Sequence, residues 1–114
     1  MSMYLAKIVF HIICGDSSKQ QFDEQLRLIS AEDQSNAIEK ASNLGLNEEV
    51  HFANNNNNPV HWKFIGVSEL IRLDNLEDGS EIYSSVKVKK NPESFINSVK
   101  LRYERINLMS FQES

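Results

Sequence analysis

The sequence predicts an α+β fold over one domain, residues 1–114: a mainly antiparallel sheet of about five strands, in the order β-β-α-β-β-β-α, with the helices packed on one face. Three observations lead there. The opening run Met3–Ile13 is apolar in both of its alternating sets and rich in β-branched residues, the pattern of a central strand. The strand-like segments are joined mainly by turn residues rather than crossover helices, which favours antiparallel pairing. Only two segments repeat their apolar residues at helical spacing, and both open with a capping residue and an acid.

Gly15-Asp16-Ser17-Ser18 turns the first strand into a second, Phe22–Ile29. Phe22, Leu26 and Leu28 share one face of it with Glu24, while Asp23, Gln25 and Arg27 take the other. Ser30-Ala31-Glu32-Asp33 offers a hydroxyl to the first turn of a helix and acids to its positive end. Ala37, Ile38, Ala41 and Leu44 continue that helix with a small-residue face suited to lying close on a sheet, and Gly45 is expected to stop it. Val50–Ala53 and Val60–Phe64 flank five asparagines, Asn54–Asn58, closed by Pro59, which reads as an exposed hairpin loop. The strand from Val60 runs on to Leu73, with a bulge or bend at Gly66. After a turn at Asp78-Gly79, Glu81–Lys89 is expected to be a further strand, with Ile82, Val86 and Val88 on one face. Asn91-Pro92-Glu93 opens a C-terminal helix, 91–107, striped by Phe95, Ile96, Val99, Tyr103 and Ile106.

Composition narrows the function classes. The chain is 40% hydrophobic and 25% charged, with a net charge of −4, and no apolar run approaches the roughly 18 residues of a membrane span. Lys7 interrupts the opening run and no small-residue cleavage site follows it, so a signal peptide is not expected and a cytoplasmic location is. Cys14 is the single cysteine, which rules out an intrachain disulfide, and it reads as a small buried hydrophobe. Residues 86–105 carry six lysines and arginines against two glutamates, a local +4 that leaves −8 elsewhere. No aromatic interleaves Lys87, Lys89 and Lys90 at base-stacking spacing, so this basic third reads as a solvated face and nucleic acid is not the expected partner.

Several segments together resemble a known family. Tyr4–Phe10, Phe22-Asp23-Glu24, the helix with Ala37 and Ala41, Val60-His61-Trp62-Lys63-Phe64-Ile65-Gly66-Val67, and Leu76–Ser84 look like the bacterial domain of unknown function (DUF) 4288 family. The resemblance covers roughly residues 3 to 84, and the helix after Asn91 departs from the family's short form. It implies a small bacterial cytosolic domain and brings no activity, cofactor or catalytic residue with it.

Few residues are candidates for chemistry. The four glycines are too scattered for a phosphate loop, and neither a nucleophile elbow nor paired-cysteine metal spacing occurs, so no cofactor and no catalytic residue is expected. His11 and Cys14, three apart in a strand, point to opposite faces. Trp62 beside Val60 and Phe64 reads as core, and Glu24 as a solvated carboxylate that forms no catalytic pair with Tyr83. A hairpin centred on Asn56 would set His51 directly opposite His61, with Cβ atoms about 4.5–5.5 Å apart. Two such imidazoles could hold a metal, in a metal-binding domain or metal-dependent hydrolase, if Glu69 or a second subunit added a ligand. The plainer reading is a solvated cross-strand pair. The leading expectation is therefore a non-catalytic protein-interaction or regulatory module, a toxin-neutralising one among the forms considered, whose partner is a protein, itself or another chain. Its doubly apolar opening strand points to a dimer, with Phe95, Val99 and Tyr103 as an interaction stripe. The alternatives are the histidine metal site and nucleic-acid binding through the basic third.

Overall fold

The computed structural model describes residues 1–15, 19–53 and 59–113, with 50–53 and 111–113 described by their backbone alone. The asparagine loop, 54–58, lies outside the described residues, as do 16–18 and Ser114. The chain divides into two compact units, Met1–Ile82 and Tyr83–Ser114. The first is an antiparallel sheet of β1 (Ser2–Cys14), β2 (Gln21–Ala31), β3 (Val50–Ala53) and β4 (Pro59–Leu73), in the order β2-β1-β4-β3. Helix α1 (Gln34–Asn47) joins β2 to β3, and the second unit holds helix α2 (Pro92–Glu113). No helix among the described residues is long and apolar enough to cross a membrane.

The α+β class and the antiparallel sheet are as expected, but the sheet has four strands among the described residues, not five. Residues 81–89 are irregular, with Val86 94% and Val88 96% exposed. Their alternating set is broken by Ser84, so too little apolar surface is on offer to offset the entropy of ordering nine residues. The C-terminal helix starts as expected, with Asn91 Oδ1 accepting from the Ser94 amide at 3.1 Å, but continues to Glu113 rather than ending at 107. Of the two helices expected on one face of the sheet, α1 takes that place; α2 belongs to the second unit.

Strand β1 occupies the centre because both of its alternating sets are apolar. Its even set, Tyr4, Ala6, Ile8 and Phe10, is buried, and Tyr4 and Ala6 form a core with Ile29 and Ala31 of β2 and Ala37 and Ala41 of α1. Phe10 makes ring contacts with Trp62 at 6.4 Å and Phe64 at 6.0 Å on the same face, which bears out the reading of Trp62 as a packing residue. The register between β1 and β4 slips twice, between Lys7 and Ile8 and between Val9 and Phe10, on either side of Gly66 where the bend was expected.

Two details of α1 differ from expectation. Ser30 and Ala31 pair with Met3 and Ser2 in the β1–β2 ladder, so their backbone is committed to the sheet. The cap is Asp33, extended at φ −153°, whose carboxylate accepts from the Asn36 amide at 2.8 Å. Gly45 does not end the helix, which runs two residues further. It is buried against β4, where an added Cβ would stand 2.4 Å from two carbons of the Phe64 ring. Close approach, not a left-handed turn, is what requires glycine there. The C-terminal end of α1 is tied to the sheet by two carboxylates. Arg27 of β2 donates to both oxygens of Glu48, at 2.7 and 2.9 Å, and the Phe64 amide donates to Glu49 at 2.8 Å beside the bulge.

Two predictions follow from this seating. Helix propensity alone favours Gly45→Ala by about 1 kcal/mol, but the contact with Phe64 outweighs it, and a net loss of about 1–3 kcal/mol is expected in urea denaturation. Adding Phe64→Leu should recover part of that loss; a neutral Gly45→Ala would contradict the packing. The hydrogen bonds from Arg27 hold the Glu48 carboxyl below its ordinary value of 4.5. A lowered carboxyl stabilises the fold fully above the unfolded value, and that contribution disappears as pH falls through the folded one. Glu48→Gln should thus cost about 0.5–1 kcal/mol at pH 7, the pair being 33% and 38% exposed. Denaturation curves for the variant and the parent chain should converge as the pH is lowered below that range.

Candidate functional site

The odd set of β1 points away from α1, and the register builds an ordered surface from it. Leu28, Leu5 and Ile71 form one row across β2, β1 and β4; Leu26, Lys7 and Glu69 form the next; Phe22, His11 and Lys63 lie further along. Leu5 is buried, but Phe22, Leu26 and Leu28 are 58%, 46% and 59% exposed. The apolar set of β2 is therefore the one turned away from the helix. Its polar set lies on the helix side, where Arg27 reaches Glu48 and also donates to Gln25, which in turn donates to Asp23. That reversal leaves one face of the sheet open and largely apolar.

Polar groups on the open face are matched rather than reactive. The Lys7 ammonium is 17% exposed and lies 3.6 Å from the Glu69 carboxylate, the kind of pairing that lets a lysine be largely covered. The His11 ring stacks on Phe22 with centroids 4.7 Å apart, and its Nε2 lies 3.0 Å from Gln20 Oε1. Glu24 is exposed, as expected for a solvated carboxylate. Lys7 and Lys63 balance Glu24 and Glu69, so the face carries no net charge.

The histidine expectation divides in two. His51 does pair with His61 in the β3–β4 ladder, in the register that a hairpin centred on Asn56 implies. Glu69, however, cannot complete a metal site with them. It sits opposite Lys7 while His61 sits opposite Ile13, six residues along β1 or about 20 Å. Among the described residues no three histidine, cysteine, aspartate or glutamate side chains gather closely enough to hold an ion. A depression of about 390 Å³ at the start of α1, lined by Tyr4, Glu32, Asp33, Gln34, Leu70 and Arg72, sets no nucleophile beside a base. Its cation, Arg72, lies 3.5 Å from Asp74. On α2, Phe95, Val99 and Tyr103 are exposed along one side of the helix, and Lys89 stands 5.0 Å over the Phe95 ring. The sequence reading grouped Phe22, Leu26 and Leu28 correctly but not their outward direction. Pairing Leu28 with Leu5 would have revealed it, and the turn residues do not set that register.

The two faces should answer differently to substitution. Ile8→Ala, on the helix side, should cost about 2–5 kcal/mol. Leu28→Glu, on the open side, should change the stability of the isolated chain by about 0.5 kcal/mol or less. Urea titration at low micromolar concentration distinguishes them, and a large loss for Leu28→Glu would contradict the open face.

No curated protein and no solved structure matches the chain. A family model described as a domain of unknown function (DUF4288) matches residues 3–84, which span the first unit almost end to end. The match takes in the whole sheet, α1 and the open face, and leaves out α2. The chain belongs to the DUF4288 family.

Proposed function

We propose that the chain is a non-catalytic docking module whose open sheet face seats another protein surface, apolar at its centre and balanced in charge. The observation that carries this reading is the patch of exposed Leu26, Leu28 and Ile71 around the buried Leu5, on the side of the sheet away from α1. Exposed apolar surface of this extent usually marks an interface. The matched charges around it suit orientation and partner choice more than chemistry. A cytoplasmic, bacterial setting accompanies the reading, supported by the lone Cys14 and by the family resemblance.

The reading is tested by incorporating a photo-cross-linking phenylalanine analogue in the full chain inside cells, at position 28 on the open face or at position 39 on the exposed side of α1. Cross-links to protein from position 28, abolished by Leu26→Glu and absent from position 39, are expected. Equal cross-linking from the two positions, or none from position 28, would contradict a docking face.

A further inference from the structure

We infer that the occupant of the open face is a second copy of this chain, the two faces packing as an aligned sheet sandwich about a two-fold axis along β1. This rests on the docking reading above. Charge selects the occupant. Met1–Ile82 carries six lysines and arginines against thirteen aspartates and glutamates, a net −7, so two copies of this unit repel across most of their surfaces. On the open face Lys7 and Lys63 cancel Glu24 and Glu69, and Lys7 is already held by Glu69. Here two acidic copies meet without net repulsion. A basic partner would gain more from the acidic surface elsewhere on the unit.

Shape and register fix how the two faces would meet. A two-fold axis in the plane of the interface and parallel to β1 exchanges the β2 side for the β4 side. The row Leu28–Leu5–Ile71 then lies over Ile71–Leu5–Leu28 of the second copy, apolar on apolar, at the roughly 10 Å spacing of packed sheets, while in the next row Leu26 lies over Glu69 and each Lys7, held by its own Glu69, faces its counterpart. Each surface patch meets itself, as an isologous dimer requires. The area is adequate. Three strands about 4.8 Å apart, paired over roughly 40 Å, give a flat footprint of ~600 Å² per copy before side-chain relief, near the ~800 Å² per partner of stable interfaces. This arrangement also covers Leu26, Leu28 and Ile71, the exposed neighbours of Leu5 on the side that α1 does not cover.

Sedimentation of the full chain and an engineered cross-link test this together. At about 200 μM the parent chain should sediment at twice its 13.1 kDa mass and dissociate on dilution, Leu28→Glu should remain at single mass, and Val99→Glu on α2 should behave as the parent. In a Cys14→Ser background, a tagged Leu28→Cys chain mixed with an Ile71→Cys chain should form a covalent heterodimer with a bis-maleimide about 10 Å long. Opposed positions 28 and 71 lie one sheet spacing apart, about 10 Å, beyond the roughly 7 Å reach of a disulfide but within that of the reagent, and with one thiol per chain the bond must join two chains. A dimer broken by Leu28→Glu that forms no such bond overturns the axis along β1. A parent chain that stays monomeric overturns the second copy; if position 28 still cross-links other proteins in cells, the docking reading survives that result. A dimer indifferent to Leu28→Glu, with no cross-linking at position 28, overturns both.

Discussion

A single fourteen-residue helix serves a sheet whose central strand is apolar on both faces. The sheet is about 15 Å between its outer strand axes and a helix about 10 Å across, so α1 can occupy only one side of it. The side it takes is decided by fit. Ala37, Ala41 and Gly45 let the helix backbone come down onto the sheet, where Tyr4, Ala6, Ile29 and the Phe64 ring meet it. Leu28, Leu26 and Phe22 face the other way, and among the described residues no second helix of the same unit covers them. The open face follows from that geometry, and the account of function rests on it.

The same seating accounts for the polar interactions. Where α1 ends, the sheet still needs anchoring and β4 is locally out of register. Glu48 and Glu49 answer both needs, one accepting from Arg27 and the other from the amide of Phe64 beside the bulge. These bonds are local and partly solvated, so they stabilise the helix end without organising a reactive site. On the open face the Lys7–Glu69 pair lets a charged residue sit in the middle of an apolar surface with its charge compensated. Neither cluster sets a nucleophile beside a base.

Much of the fold was legible in the sequence, for reasons that separate local from long-range information. The central role of β1, the bend at Gly66, the Val50–Ala53 strand and the pairing of His51 with His61 all depend on alternation or short turns, which neighbouring residues encode. The errors required long-range information. Gly45 resembles a helix stop until Phe64, nineteen residues away, is placed against it. Ser30 resembles a cap until β1 claims its backbone, and Glu81–Lys89 resembles a strand although no sheet edge pairs with it. The site was half legible: the shared face of Phe22, Leu26 and Leu28 is a period-two pattern, whereas its direction depends on a register that the first turn does not specify.

Solvent paramagnetic relaxation of side-chain methyl groups, measured at several protein concentrations, tests the central claim most directly. A soluble paramagnetic probe broadens methyls that water can reach. If the open face closes on a second copy, Leu26, Leu28 and Ile71 should be shielded at high concentration and become reachable on dilution. Leu46, exposed on α1, should be broadened equally throughout. Open-face methyls that remain as accessible as Leu46 at every concentration would contradict the account.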